Sequence, residues 1–181
     1  IAAAAALEEG IVRRDSQFYD PGYIIVEDRT LRCWRAGGHG SQTFIEAVEN
    51  SCNPVFASLA LRLGQQKYLE YIKAFGFGQQ SGLDFPGEAK GIVPPLSRIK
   101  NVELATIGFG QGISITPLQL LSALAVIANG GELVRPHFVK EIRTPDGQEV
   151  LETFDKKIAR RGISKQTADE LALILSSVVE N

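Results

Sequence analysis

Three groups of residues in this 181-residue chain have types and spacings that suit chemistry. Ser51-Cys52-Asn53 sets a hydroxyl two positions before a carboxamide, directly ahead of Pro54. By itself this string is weak evidence of chemistry, because a Ser and an Asn two positions apart occur together often by chance. The same residues also read as a helix boundary, with Asn53 as N-cap, Pro54 as the first helical residue and Ser51 as an ordinary loop residue. Ser97-Arg98-Ile99-Lys100 has Ser and Lys three apart. On a helix that spacing lets a desolvated lysine take the proton of a serine nucleophile. The string lies beside a Pro-rich stretch instead of opening an apolar helix, which argues against that role. The third group is Cys33, Cys52, His39 and His137. There is no CxxC and the two histidines are far apart, so the spacing argues against zinc, and neither metal nor cofactor is expected. His39 stands among Gly37, Gly38 and Gly40, where nothing fixes it as a base.

Other candidates are weaker. Trp34 reads as core or cleft wall. Gln111, between glycines, suits either a cleft lining or a tight turn. Lys156-Lys157 and Arg160-Arg161 read as a solvated basic face. Apolar residues make up 44% of the chain and charged residues 22%, with a net charge of -2. That balance is typical of a soluble globular domain and offers nothing to nucleic acid. No apolar run reaches the roughly 18 residues of a membrane span. The chain has no Met, opens inside the helix-forming run Ile1–Glu9, and closes on the helical pattern Leu171–Asn181. Both ends therefore read as cuts through a larger protein.

The elements that must position these groups follow from pattern. Helix is expected from Ile1 to Glu9, stopped by Gly10. Tyr23–Val26 and Leu31–Trp34 read as strands around a charged turn, and Gly37–Gly40 as loop. Helices follow over Gln42–Glu49, from Asn53 to Gly64, and over Gln66–Phe75. Gly76–Pro95 reads as irregular and exposed. Thr116-Pro117 opens a helix whose Leu118–Ala128 stretch is apolar nearly all round, so deep burial is expected. Phe138–Arg143 and Glu149–Phe154 flank a Pro-Asp-Gly turn. Ser164 should cap the last helix, with Ala168, Leu171, Ala172, Leu175 and Val178 facing inward. The picture is α+β, mostly helical with minor β, and has no internal domain boundary.

Four segments in order resemble the transpeptidase domain of class B penicillin-binding proteins. They are Ala5-Ala6-Leu7-Glu8-Glu9-Gly10; Trp34 with Gly37–Gly40 and then Ser51-Cys52-Asn53-Pro54; Phe75–Gly78 with Ser81–Glu88; and Gly108–Gly112 with Thr116–Leu120, closed by Asn129-Gly130-Gly131. The resemblance implies the helical portion of a penicillin-binding-protein/serine β-lactamase-like fold with an incomplete sheet. Residues 1–181 would be a partial domain without the Ser-x-x-Lys start and the Lys-Thr-Gly strand. Ser51 is then the proton relay of the Ser-x-Asn motif and Asn53 its substrate- and lysine-positioning amide. The implied activity is D,D-transpeptidation, cross-linking peptidoglycan stem peptides through an acyl-serine, with acylation by β-lactams. The isolated chain is expected to be inactive. The implied location is the extracytoplasmic face of the bacterial cell membrane, with anchoring only through a missing N-terminal segment. Two other functions share the resemblance: a β-lactam-sensing receptor domain and a non-catalytic scaffold. Missing strands would leave apolar surface open to self-association.

Cys52 inside the motif, with Cys33 19 positions earlier, resembles some sporulation-type members. Outside the cytoplasm two thiols can pair. A bridge closing that loop would stabilise by roughly 3 kcal/mol in the chain-entropy model and would pull on Ser51 and Asn53. The opposing expectation is two separate buried thiols.

Overall fold

The alanine run forms α1 (Ala2–Glu8), and Ala4, Ala5 and Ala6 are wholly buried at the centre of the protein. Alanine has the best helix propensity, and its small side chain lets neighbouring helices approach closely. The structure, a computed structural model, describes residues 1–180, so Asn181 of the expected terminal helix lies outside it. After α1 come β1 (Gln17–Asp20), β2 (Tyr23–Val26), β3 (Arg29–Arg32), β4 (Gly40–Thr43), α2 (Phe44–Glu49), α3 (Asn53–Leu63) and α4 (Gln65–Ala74). A 3₁₀ turn (Leu96–Arg98) leads to α5 (Asn101–Gly108), α6 (Pro117–Ala128), β5 (Glu132–Arg135), β6 (Glu141–Arg143), β7 (Val150–Thr153), β8 (Lys157–Arg161) and α7 (Lys165–Glu180).

Helices α3, α4 and α7 pack on α1, and α5 lies along α3. Phe44, Leu59, Ile72, Phe75 and Ile174 fill the space between them. The close approach of α5 to α3 depends on Gly108, where an added Cβ would sit 2.7 Å from the Phe56 carbonyl oxygen and 2.8 Å from the Ala60 Cβ. The strands form four separate antiparallel ribbons among the described residues: β1–β4, β2–β3, β5–β8 and β6–β7. β2–β3 and β6–β7 are the expected hairpins, although β3 begins earlier and β6 is shorter than the pattern suggests.

Local chemistry explains the helix starts. Thr43 and Glu46 form a capping box on α2, and Thr116 and Gln119 form one on α6. Gln119 is buried and also ties down the irregular Gly76–Pro95 stretch, its Nε2 donating to the Gln79 and Lys90 carbonyls at 2.8 and 2.9 Å. Ser164 caps α7 through the Thr167 N–H, and Glu8 of α1 accepts both the N–H and the hydroxyl of Ser164.

Two burial expectations are corrected. Leu120, Leu121 and Leu124 of α6 are 47%, 65% and 53% exposed, because β5 and α7 cover only one side of the helix. In α7, Ala168, Leu171 and Ile174 form the buried stripe while Val178 is exposed.

Candidate functional site

Ser51 is the residue at which the chain turns from α2 into α3. Its N–H donates to the Val48 carbonyl, and the Cys52 N–H donates to the Ala47 carbonyl, both at 3.0 Å. This is the hydrogen-bond pattern of a Schellman helix end, whose turning residue is usually glycine. Here it is a serine at φ 47° with its side chain exposed. A side chain in that backbone region carries a steric cost of about 1–2 kcal/mol. The fold therefore holds a hydroxyl in a strained position where a hydrogen would be easier.

The helix-boundary reading of Asn53 is corrected. Cys52 is the N-cap of α3, and Asn53 is already helical with Pro54 behind it. The Asn53 amide does not cap its own helix; its Nδ2 donates to the Arg32 carbonyl of β3 at 3.3 Å. Ser51 and Asn53 thus stand together where α3 begins, beside the end of the β2–β3 hairpin. The largest clefts lie elsewhere. One of about 510 Å³ lies between the β2–β3 hairpin and the start of α5 and one of about 410 Å³ between α4 and Val93–Leu96, while Ser51 is exposed on the surface.

Ser97 and Lys100 are both exposed, with Lys100 just before α5. Ser97 belongs to the 3₁₀ turn and Lys100 lies outside it, so the pair does not share a helix face as a nucleophile and its base would. Gln111 is exposed and lies in a tight turn, its N–H donating to the Thr106 carbonyl. Trp34 is 65% exposed, so of the two expectations it is not a core residue; its Nε1 donates to the Asn50 carbonyl and its ring is edge-on to His39. The basic run lies on and beside strand β8, with Lys156, Lys157 and Arg161 exposed as expected and Arg160 half-buried. Lys156 and Arg161 pair with Glu132, and Arg160 donates to the Ala74 carbonyl.

The largest departure from the sequence reading lies beneath Ser51. Cys33, Cys52 and His39, which spacing left scattered, converge on Asp20, and one ligand atom from each of the four lies within 4.8 Å of all the others. Asp20 ends β1 and His39 precedes β4, so the β1–β4 pairing, with Asp20 opposite Gly40, brings these two together. Gly38 makes the approach possible, since a Cβ there would lie 2.3 Å from the Asp20 carbonyl oxygen. Cys33 follows β3, and Cys52 caps α3. The His39 side chain is 1% exposed, with Nδ1 2.9 Å from Asp20 Oδ2 and 3.4 Å from Cys33 Sγ. Cys52 Sγ lies 3.3 Å from the same Oδ2.

Burial opposes the Asp20 charge, but hydrogen bonds from Cys33, His39, the Gly22 N–H and Cys52 outweigh it and hold the carboxyl well below the usual range. Burial, reinforced by the Asp20 charge, pushes the Cys33 thiol up and the Cys52 thiol up to about 12. Both cysteines are free thiols in this structure, and their sulfurs are close enough to pair after a small movement. Spacing could not reveal this cluster because the β1–β4 pairing that assembles it joins four-residue strands that are distant in sequence. No helix among the described residues is long and apolar enough to cross a membrane.

Residues 1–181 match the family described as penicillin binding protein transpeptidase domain. Stage V sporulation protein D of Bacillus subtilis is 46% identical over 181 residues, covering 99% of this chain and 28% of that protein. Penicillin-binding protein PbpB of Mycobacterium tuberculosis is 32% identical over 180 residues, covering 99% of this chain and 26% of that one. The chain therefore spans less than a third of the length of these curated relatives. Penicillin binding protein 3 from Mycobacterium tuberculosis superposes with a TM-score of 0.87 at 32% identity, over 99% of this chain and 40% of that one. That protein has been solved free and in complex with aztreonam and with ampicillin. The D,D-transpeptidase domain of a peptidoglycan glycosyltransferase from Eggerthella lenta gives a TM-score of 0.90 at 26% identity, over 99% of this chain and 46% of that one.

Proposed function

Because the chain belongs to the transpeptidase family of class B penicillin-binding proteins, we propose that it forms part of a D,D-transpeptidase that cross-links peptidoglycan stem peptides. In this reading a serine nucleophile attacks a stem-peptide carbonyl, an acyl-enzyme forms, and the amine leaves. Ser51 passes the proton to that amine, and the Asn53 amide holds the peptide backbone of the substrate. An amine from a second stem peptide then takes the acyl group. β-Lactams acylate the same serine, in keeping with the two β-lactam complexes of the similar mycobacterial protein. The domain works on the outer face of the cytoplasmic membrane, where its substrate is, and its anchor lies outside residues 1–181.

The observation that carries the reading is the backbone of Ser51. A serine is kept at φ 47°, exposed, beside an asparagine whose amide is released from helix capping. The test is acylation of the full-length protein by a fluorescent penicillin. Ser51→Ala should slow acylation by about 10²–10⁴-fold, the usual contribution of a positioned acid–base group, with the fold intact. Acylation at the wild-type rate would remove Ser51 from the mechanism.

A further inference from the structure

We propose that the outward face of the β2–β3 hairpin is a subsite for an acidic peptide segment of the substrate. Tyr23, Ile25 and Trp34 form its apolar track, and Arg32 and Arg35 are its carboxylate partners. This deepens the reading of Ser51 and Asn53 given above and rests on it. A two-stranded ribbon with one face on a core normally turns polar residues to water on the other. The inner face obeys, since Ile24, Val26 and Leu31 pack with Ala57 and Ala105. The outer face does not. Tyr23 and Ile25 are 44% and 63% exposed, and the ladder sets Arg32 opposite Tyr23 and Thr30 opposite Ile25. Past β3 the Cys33 N–H still donates to the Gly22 carbonyl, so Cys33 turns inward and Trp34 emerges on the side of Arg32.

Trp34 is exposed and yet fixed. Its Nε1 donates to the Asn50 carbonyl at 2.9 Å, and its ring lies edge-on to His39 with centroids 5.3 Å apart. An aromatic side chain already held in place loses little freedom when a ligand covers it. The same hydrogen bond ties the track to the residue before Ser51. On the other side of the motif, Asn53 Nδ2 donates to the Arg32 carbonyl at 3.3 Å. Contacts from the hairpin thus bracket the Ser51–Asn53 pair, and a peptide lying along Ile25, Tyr23 and Trp34 arrives beside it.

Charge selects the ligand. Arg32 and Arg35 are exposed and form no ion pair among the described residues. The acids at the tip of the hairpin are engaged, Asp28 with Arg29 at 3.9 Å and Glu27 with the Asn101 amide at 3.1 Å. Unpaired guanidinium groups beside aromatic rings suit a carboxylate and the apolar atoms next to it. A cationic ligand would be repelled, and a neutral sugar would leave both charges unused.

The test measures equilibrium binding to the full-length protein by fluorescence anisotropy. Its probes are a pair of fluorescein-labelled peptides that end in D-Ala-D-Ala and differ in one internal residue, glutamate or glutamine. The glutamate peptide should bind about 2–5-fold more tightly, the range of an exposed ion pair, and the advantage should shrink as salt is raised. Arg32→Gln combined with Arg35→Gln should abolish it, while Arg29→Gln at the tip should keep it. Trp34→Ala should weaken both peptides by about tenfold, as loss of an aromatic anchor does. Ile25→Ser, on the open strand face, should weaken both as well, and circular dichroism confirms that each variant is folded. Labelling of the wild type by a fluorescent penicillin runs alongside. Its failure would count against the transpeptidase reading alone, because the binding assay needs no acylation. Equal binding of the two peptides, as a track covered by another segment or by a second copy would give, would overturn the subsite. So would a glutamate preference retained in the double arginine variant, or unchanged binding in folded Trp34→Ala and Ile25→Ser.

Discussion

Replacing Ser51 by glycine and by alanine separates the work of its backbone from that of its hydroxyl. At φ 47° a side chain costs about 1–2 kcal/mol, and glycine removes that cost. Glycine returns about 0.5–1 kcal/mol through the greater freedom it gives the unfolded chain. The expected net effect of Ser51→Gly is therefore a gain of about 1 kcal/mol or less. Alanine keeps the strain and loses an exposed hydroxyl, so Ser51→Ala should stay within about 0.5 kcal/mol of wild type. The two backbone bonds of the turn, Ser51 N–H to Val48 and Cys52 N–H to Ala47, survive in both variants. Denaturant unfolding of the full-length protein gives the stability order, and fluorescent-penicillin labelling gives the acylation rates. The glycine variant should be the more stable of the two, while both acylate about 10²–10⁴-fold more slowly than wild type. A glycine variant less stable than the alanine one would refute the strain argument. Wild-type acylation in either would refute the relay.

Gly108→Ala drives a methyl into the Phe56 carbonyl and the Ala60 Cβ across the α3–α5 contact, and overpacking of this kind should destabilise by about 1–3 kcal/mol, read as a lower denaturation midpoint. The 181-residue chain by itself should form no covalent adduct with a fluorescent penicillin, since the one Ser-x-x-Lys string, Ser97–Lys100, is exposed and not on one helix; a stoichiometric serine adduct in denaturing mass spectrometry would contradict the motif placement. In the full-length protein, oxidation should join Cys33 to Cys52, whose sulfurs already lie within 4.8 Å, and slow acylation. Rates compared with and without reductant, in wild type and in Cys33→Ser, test this, and four equal rates would exclude a thiol switch.

What the sequence made legible was governed by local physics. The caps at Thr116 and Ser164, the helix stop at Gly64 and the Pro-Asp-Gly hairpin all depend on residues within a few positions of one another, and each stands where the pattern put it. Burial of α6 was misjudged because an all-apolar helix states only that it tolerates burial; which faces find a partner is decided by β5 and α7. Helix α5 went unread because Asn101–Gly108 carries no clean amphipathic stripe and owes its place to Gly108 fitting against α3. Strands β1 and β4 are only four residues each, and their ladder is an event between distant segments.

The candidate site divides along the same line. Ser51 and Asn53 were legible as a motif, but the strained turn and the amide released from capping exist only in the folded backbone. The quartet around Asp20 was invisible to spacing rules, which serve ligands held on one or two local loops. Here each side chain comes from a different segment, and the closing step is the β1–β4 ladder, which presses Gly38 against Asp20. The residue that completes the quartet, Cys52, is the middle residue of the motif itself. Oxidation of that sulfur is expected to pull on the neighbouring Ser51 hydroxyl and Asn53 amide, which is why the reductant comparison tests the buried cluster and the exposed pair together.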